Sequence, residues 1–191
     1  LTLEIRTKGD GFEVTGAVTN GARGWLVTGL TAPALNGIVA DLATHPVLLP
    51  EGFGKRVNRV PKEGEKQKEW SLQGTSYEMG THYPGSRGTM QWCAFAGRDG
   101  GLYFGSHDPE HRSKRLSLRY DPATRLFGLT VRHDFFCRSG ERVAVPPVLI
   151  QPYEGSWHVA ARVYSGWANA AEKARHVPAW ARDASGWLLC I

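Results

Sequence analysis

Apolar and polar positions alternate along most of the first ninety residues. In "LTLEIRT" (1–7) and "FEVTGAVTN" (12–20) every second position is apolar, which is the period of a half-buried β-strand. "KGDG" between them and "NGARG" after them carry the Gly, Asn and Asp chemistry of turns. "WLVTGLTAPAL" predicts a third strand, ended by Pro33. Three short strands at roughly ten-residue spacing, separated by turns, predict an antiparallel sandwich or barrel.

The alternation then stops. "HPVLLPEGFGKRVNRVPKEGEKQKEW" (45–70) is rich in Pro, Gly and charge. It reads as a long excursion, mobile near "PKEGEKQK". Long loops on a β scaffold are places where function or partner contact concentrates.

The β pattern resumes at "MQWCAFAG", and "RDGG" joins it to "GLYFGSHD" as a hairpin. "KRLSLRYDPATRLFGLTVRHDFF" repeats the form around a "DPAT" turn, with Phe127, Leu129 and Val131 on one face. "VAVPPVLIQPYEG" predicts a further strand, entered through a double proline.

At Ser156 the pattern changes. Trp157, Ala160, Ala161, Tyr164, Trp167, Ala168 and Ala171 recur at spacings of three and four, the stripe of an amphipathic helix. Ser156 reads as its N-cap, and Pro178 lies beyond its end. Gly166 weakens its middle by about 1 kcal/mol relative to Ala. The chain finishes in "GWLLCI", an apolar run like the opening of a strand buried on both faces. The organisation expected is a β-sandwich over residues 1–155, a linker helix and connection over 156–180, and over 181–191 the first strand of a domain that continues elsewhere.

Composition narrows the function classes. Of 191 residues, 41% are hydrophobic and 21% charged, an ordinary balance for a globular chain, and no run approaches membrane-span length. The formal charge of +5 is scattered. The basic knots "KRVNRVPKEGEKQK" and "HRSKR" are interrupted by Gly, Pro, Glu or Ser. This is unlike the continuous basic stripe of a nucleic-acid surface. Cys93, Cys137 and Cys190 are widely spaced beside apolar residues, giving neither a disulfide framework nor a zinc pattern. No metal and no cofactor is expected, and the partners expected include neither nucleic acid nor membrane.

The densest chemistry lies in "SHDPEHR" (106–112). His107 and His111 would share one face of a helix, but Pro109 and the strand before it make the segment a turn. Asp108 is therefore expected to cap that turn by accepting backbone N–H groups. His133 and Asp134 are adjacent on a strand and point to opposite faces, so they do not form a dyad. Phosphate-loop and nucleophile-elbow spacings are missing. Glu51, Glu78, Asp99, Asp108, Glu110 and Asp134 are available as carboxylates without a signature. Aromatic residues are more suggestive: Trp70, Tyr77, Tyr83 and Trp92 flank His82, and flat rings either fill β cores or stack on sugar rings. His82 and Tyr83 are read as loop residues before Pro84, and Trp92 as lying mid-strand.

The segments "GAVTN", "LTAPALNGI", "LLPEGFG", "YPGSRGTMQWCAF", "GGLYFGSHDPE", "YEGSWHVAARVYSGWA" and "PAWARDASGWLL" follow one another in an order that resembles a known architecture. It is similar to the N-terminal, galactose-mutarotase-like β-supersandwich of glycoside-hydrolase-like proteins, in which a (β/α)8 barrel follows. The resemblance spans nearly the whole chain. It implies an accessory, carbohydrate-framing domain whose catalytic residues lie on the barrel and not here. It points to "LLPEGFGKR" and "THYPGSRG" as substrate-binding or barrel-facing loops. The residues singled out are Phe53, Lys55, Arg56, His82, Tyr83, Arg87 and Trp92. Carbohydrate is the expected ligand, and the barrel, or a partner chain, is expected to cover residues 180–191. One alternative is a self-sufficient sugar epimerase, in which His82, His107 or His133 would meet a carboxylate as acid and base. The other is a non-catalytic sugar-binding module.

Overall fold

The computed structural model describes residues 1–62, 70–85 and 87–172. Within them the chain forms two antiparallel β-sheets and one helix. The strands are β1 (Thr2–Lys8), β2 (Gly11–Thr19), β3 (Val27–Ile38), β4 (Val47–Leu49), β5 (Lys55–Val57), β6 (Ser71–Gln73), β7 (Ser76–Tyr83), β8 (Trp92–Ala96), β9 (Gly100–Ser106), β10 (Lys114–Asp121), β11 (Leu126–Cys137) and β12 (Arg142–Glu154). The helix is α1 (His158–Glu172). A seven-stranded sheet has the order β1-β2-β12-β9-β8-β4-β5, and a five-stranded sheet the order β3-β11-β10-β7-β6.

The sheets face each other across a core built from alternate residues of each strand. Phe95, Phe104 and Val148 from the wider sheet meet Met79, Leu116, Leu118, Leu129 and Val131 from the narrower one. Phe127, Leu129 and Val131 share the inner face of β11, as the alternation predicts. Burial of this kind contributes about 25 cal/mol per Å² of apolar surface and is the main force joining the layers.

The middle of the wider sheet, at β8, β9 and β12, is buried on both faces. On β8, Cys93 and Phe95 enter the inter-sheet core, whereas Trp92 and Ala94 enter a second core beneath α1. Tyr103, Leu149, Tyr153 and Ala160 complete that second core. The helix stripe predicted from the three–four spacing is the face that packs: Ala160 is fully buried, and Tyr164 and Trp167 are half-buried. Trp157 departs from it, being 44% exposed. Ser156 does not cap the helix through its side chain. Its hydroxyl lies 3.2 Å from Nδ1 of His158, and its carbonyl accepts the Val159 N–H at 2.9 Å.

Four expectations about strands are corrected. β3 does not end at Pro33 but runs to Ile38. Proline is tolerated there because β3 is an edge strand and its register against β11 shifts between Thr130 and Arg132, so Pro33 sits in a bulge. β12 likewise begins at Arg142, before the double proline, which falls in the register shift between Val145 and Val148. The excursion after His45 is not wholly irregular: β4 pairs with β8, and β5 pairs with β4. β1 is exposed at all seven positions rather than half-buried, because it is the terminal strand and pairs only with β2. Most of "PKEGEKQK", the segment beyond Glu172, Cys190 and the expected barrel strand lie outside the described residues.

Candidate functional site

The corner that follows β9 holds the densest polar chemistry, and it is closed. Asp108 is fully buried and accepts the backbone N–H groups of Glu110 at 3.1 Å and Arg112 at 2.9 Å. Its carboxylate also pairs with Arg112 at 3.1 Å and with the fully buried Lys114 at 3.0 Å. Lys114 spends its other donors on Gln91 Oε1 at 2.8 Å and the Arg112 carbonyl at 2.5 Å. Gln91 in turn donates to the Asp108 carbonyl at 3.0 Å. Tyr83 hydrogen-bonds His111 Nδ1, and the Lys114 ammonium stands 5.0 Å from the centre of its ring. Burial alone would raise the Asp108 carboxyl. The hydrogen bonds from Arg112 and Lys114 outweigh it and hold the group down at about 2. Each charged group here, Asp108, Glu110, Arg112 and Lys114, has a charged partner, so the arrangement clamps a turn.

The histidines separate. His107 is buried, with Nε2 2.9 Å from the Tyr103 hydroxyl and its ring stacked 4.8 Å from Trp167. His133 faces the interior, with Nε2 3.1 Å from the Ala32 carbonyl. His82 is exposed on the outer face of β7. None of the three hydrogen-bonds a carboxylate among the described residues. Burial lowers both His107 and His133 to about 4. Each is neutral in the fold and would gain a proton on unfolding at mildly acid pH. Their stabilisation is present above pH 6.5, the usual histidine value, and is lost as pH falls from there towards 4. Chemical unfolding at stepped pH should show stability falling over that window. His107→Gln should flatten part of the slope.

The better candidate for recognition lies beside the second core. A depression of about 300 Å³ is floored by Trp92 and Met90, walled by Leu48 and Trp157, and rimmed by Phe53 and Arg56, with Lys55 alongside. The Phe53 ring is wholly exposed, at 113% of its reference area. Gly52 and Gly54 flank it at φ 59° and 99°, a left-handed backbone that lifts the ring away from the sheet. Trp92 stacks on Tyr103 at 5.8 Å and 18°, so the floor is rigid. Trp157 stacks on His158 at 4.0 Å. A second depression, of about 320 Å³, adjoins the first through shared Leu48, Arg56 and Trp157, and carries Arg98. The result is an apolar, aromatic trough with a basic rim.

Four of the seven residues singled out by sequence meet in this trough: Phe53, Lys55, Arg56 and Trp92. Arg87 joins their loop through Glu51, which lies 3.5 Å from Arg87 and 3.6 Å from Lys55. His82 and Tyr83 do not join it. Both belong to β7 rather than to a loop, and as neighbours on a strand they point to opposite faces, Tyr83 into the Asp108 corner and His82 outward. The aromatic cluster expected around His82 is also divided, since Trp70 and Tyr77 pack in the inter-sheet core. Met90 and Trp157 were missed as lining residues. Trp157 carries a signal, as the single large ring at the start of an Ala-rich stripe.

Cys93 and Cys137 are buried and unbridged, and burial pushes Cys93 up to about 12, which excludes it as a nucleophile near neutral pH. No cluster of three potential metal ligands occurs among the described residues, and no described helix is long and apolar enough to cross a membrane. Comparison of the sequence with protein-family models finds no match, and comparison with curated proteins finds none either.

Proposed function

We propose that this chain is an accessory, carbohydrate-framing domain of a glycoside hydrolase whose catalytic barrel lies elsewhere. The observation that carries the reading is the aromatic trough. Phe53 and Trp157 offer exposed ring faces at the mouth, Trp92 forms the floor, and Lys55 and Arg56 supply donors for hydroxyl groups. Flat apolar faces with a few polar groups at the rim suit a sugar ring, which is apolar on its faces and polar at its edge.

A catalytic role within the chain has less support. Hydrolysis of a glycoside requires two carboxylates free to face one bond. Glu51, Glu78, Asp108 and Asp134 are each held by an arginine or lysine, at 3.5, 3.0, 3.0 and 3.0 Å respectively. The epimerase alternative needs a histidine beside a carboxylate, and the placement of His82, His107 and His133 offers no such pair. A sugar-binding module without a parent enzyme uses the same trough and differs only in what surrounds it.

Incubating the purified chain with a panel of neutral glycosides tests the reading by two readouts. Saturable binding without release of reducing sugar is expected. Turnover by the chain alone would overturn the assignment of catalysis to another domain.

A further inference from the structure

A second polar surface lies on the far side of the molecule, on the outer face of the five-stranded sheet. The strand register sets out three rows of side chains there. His82, Arg115, Arg132 and Thr31 form one row; Gly80, Ser117, Thr130 and Ala34 form the next; Glu78, Arg119, Gly128 and Asn36 form the third. Arg115 and Arg132 of the first row and Arg119 of the third thus flank a central row of small side chains and hydroxyls. The depression between them has a volume of about 190 Å³ and is lined by Arg115, Arg119, Arg132, Ser117, Thr130 and Glu78, with Thr31 at its margin.

Two of the three arginines are fixed in place. Arg115 pairs with Glu78 at 3.0 Å, and Arg132 with Asp134 at 3.0 Å. Arg115 crosses Gly80, where a Cβ would stand 2.9 Å from its Nε. Arg132 crosses Gly29, where a Cβ would stand 3.2 Å from its Nη2. The glycines therefore let both guanidinium groups lie against the sheet. The buried Nε of Arg115 has no hydrogen-bond partner among the described residues. Arg119 is the third. It is half-buried and, among the described residues, makes no ion pair or side-chain hydrogen bond. Asp121, two residues on, directs its oxygens to the Ala123 N–H and the Thr124 hydroxyl, and the Arg119 charge acts on it only at longer range, without a hydrogen bond. Arg119 also borders an adjoining depression of about 340 Å³.

We propose that this face binds a small hydroxylated carboxylate of the uronic-acid class. The carboxylate would lie on Arg119, and the ring hydroxyls would meet Thr130 and Ser117 of the central row and Glu78 of the third, whose carboxylate accepts the Ser117 hydroxyl at 3.0 Å. A planar carboxylate matches the two-pronged donor geometry of a guanidinium. A floor of hydroxyl groups suits a polyhydroxylated ring better than a bare ion. This site is separate from the aromatic trough and does not depend on its assignment.

The test is a titration of the ¹⁵N-labelled chain with galacturonate, galactose and inorganic phosphate, followed by amide chemical shifts. Galacturonate should shift the Gly80 and Gly128 amides saturably, and galactose should leave them unmoved at the same concentration. Phosphate should bind more weakly. Arg119→Met should weaken galacturonate at least tenfold with an otherwise native spectrum, Arg119→Lys should weaken it less, and Phe53→Ala should leave it unchanged. Absence of any saturable shift would overturn the proposal. So would phosphate binding as tightly as galacturonate, galactose binding equally, or unaltered affinity in Arg119→Met. Loss of binding in Phe53→Ala with retention in Arg119→Met would move the ligand to the trough and equally overturn it.

Discussion

Asp108→Ala is expected to lower the free energy of unfolding by about 3–5 kcal/mol, the range for removing one partner of a buried ion pair. The substitution leaves the Lys114 ammonium fully buried without its carboxylate. It also strips an acceptor from the Glu110 and Arg112 N–H groups, so the turn between β9 and β10 loses its clamp. For a chain of this size the melting temperature should fall by roughly 10 °C. The double variant Asp108→Asn with Lys114→Met should be less damaging than Asp108→Ala. It removes the buried ammonium and keeps an oxygen for the backbone donors. The wild-type clamp also has an acid limit. With the carboxyl held at about 2, its contribution is fully present above the ordinary aspartate value and is lost as pH falls from there towards 2. Urea unfolding of the three proteins at neutral pH checks the first claim, and unfolding at stepped acid pH checks the second. Equal stability of Asp108→Ala and wild type would show that the network does not hold the corner.

Trp92→Ala should cost a similar amount, about 3–5 kcal/mol, but its effect should be local to one layer. The ring lies between β8 and α1, stacked on Tyr103 at 5.8 Å and tilted against Tyr164 at 6.3 Å. Removing it opens a hole under the helix and leaves the inter-sheet core, to which Trp92 does not contribute, intact. Hydrogen exchange should therefore quicken in α1 and at the edge of β8 while the centres of β10 and β11 stay protected. Uniform loss of protection would mean that the two cores melt together.

Period was readable in the sequence, and partnership was not. The hairpins at "RDGG" and "DPAT", the inner face of β11 and the stripe of α1 all follow from local alternation and turn chemistry, which depend on neighbours in the chain. Pro33 misleads because proline is forbidden only where its missing N–H is needed. Whether a strand lies at an edge or carries a bulge depends on its partner strand. The same holds for His82 and Tyr83: the cis-linked Pro84 follows them, yet β7 runs through Tyr83 because β10 pairs with it up to Lys114. Lys114 offered an unused clue. It falls in the buried phase of the alternation with Leu116 and Leu118, a position where a lysine requires a counter-charge. The trough joins residues from β4, the β4–β5 loop, β5, β8 and the turn just before α1, so its members could be nominated one by one but not assembled.

The reading proposed for this chain stands or falls with the aromatic trough as a carbohydrate surface. Titrating the isolated chain with the panel of neutral oligosaccharides, with tryptophan fluorescence as the readout, tests it most directly, because Trp92 and Trp157 both line the trough. A saturable change with at least one glycan is expected. Phe53→Ala should weaken that binding by about thirtyfold, as for loss of an anchoring ring worth about 2 kcal/mol. A panel without any saturable change, or a glycan that binds Phe53→Ala as tightly as wild type, would contradict it.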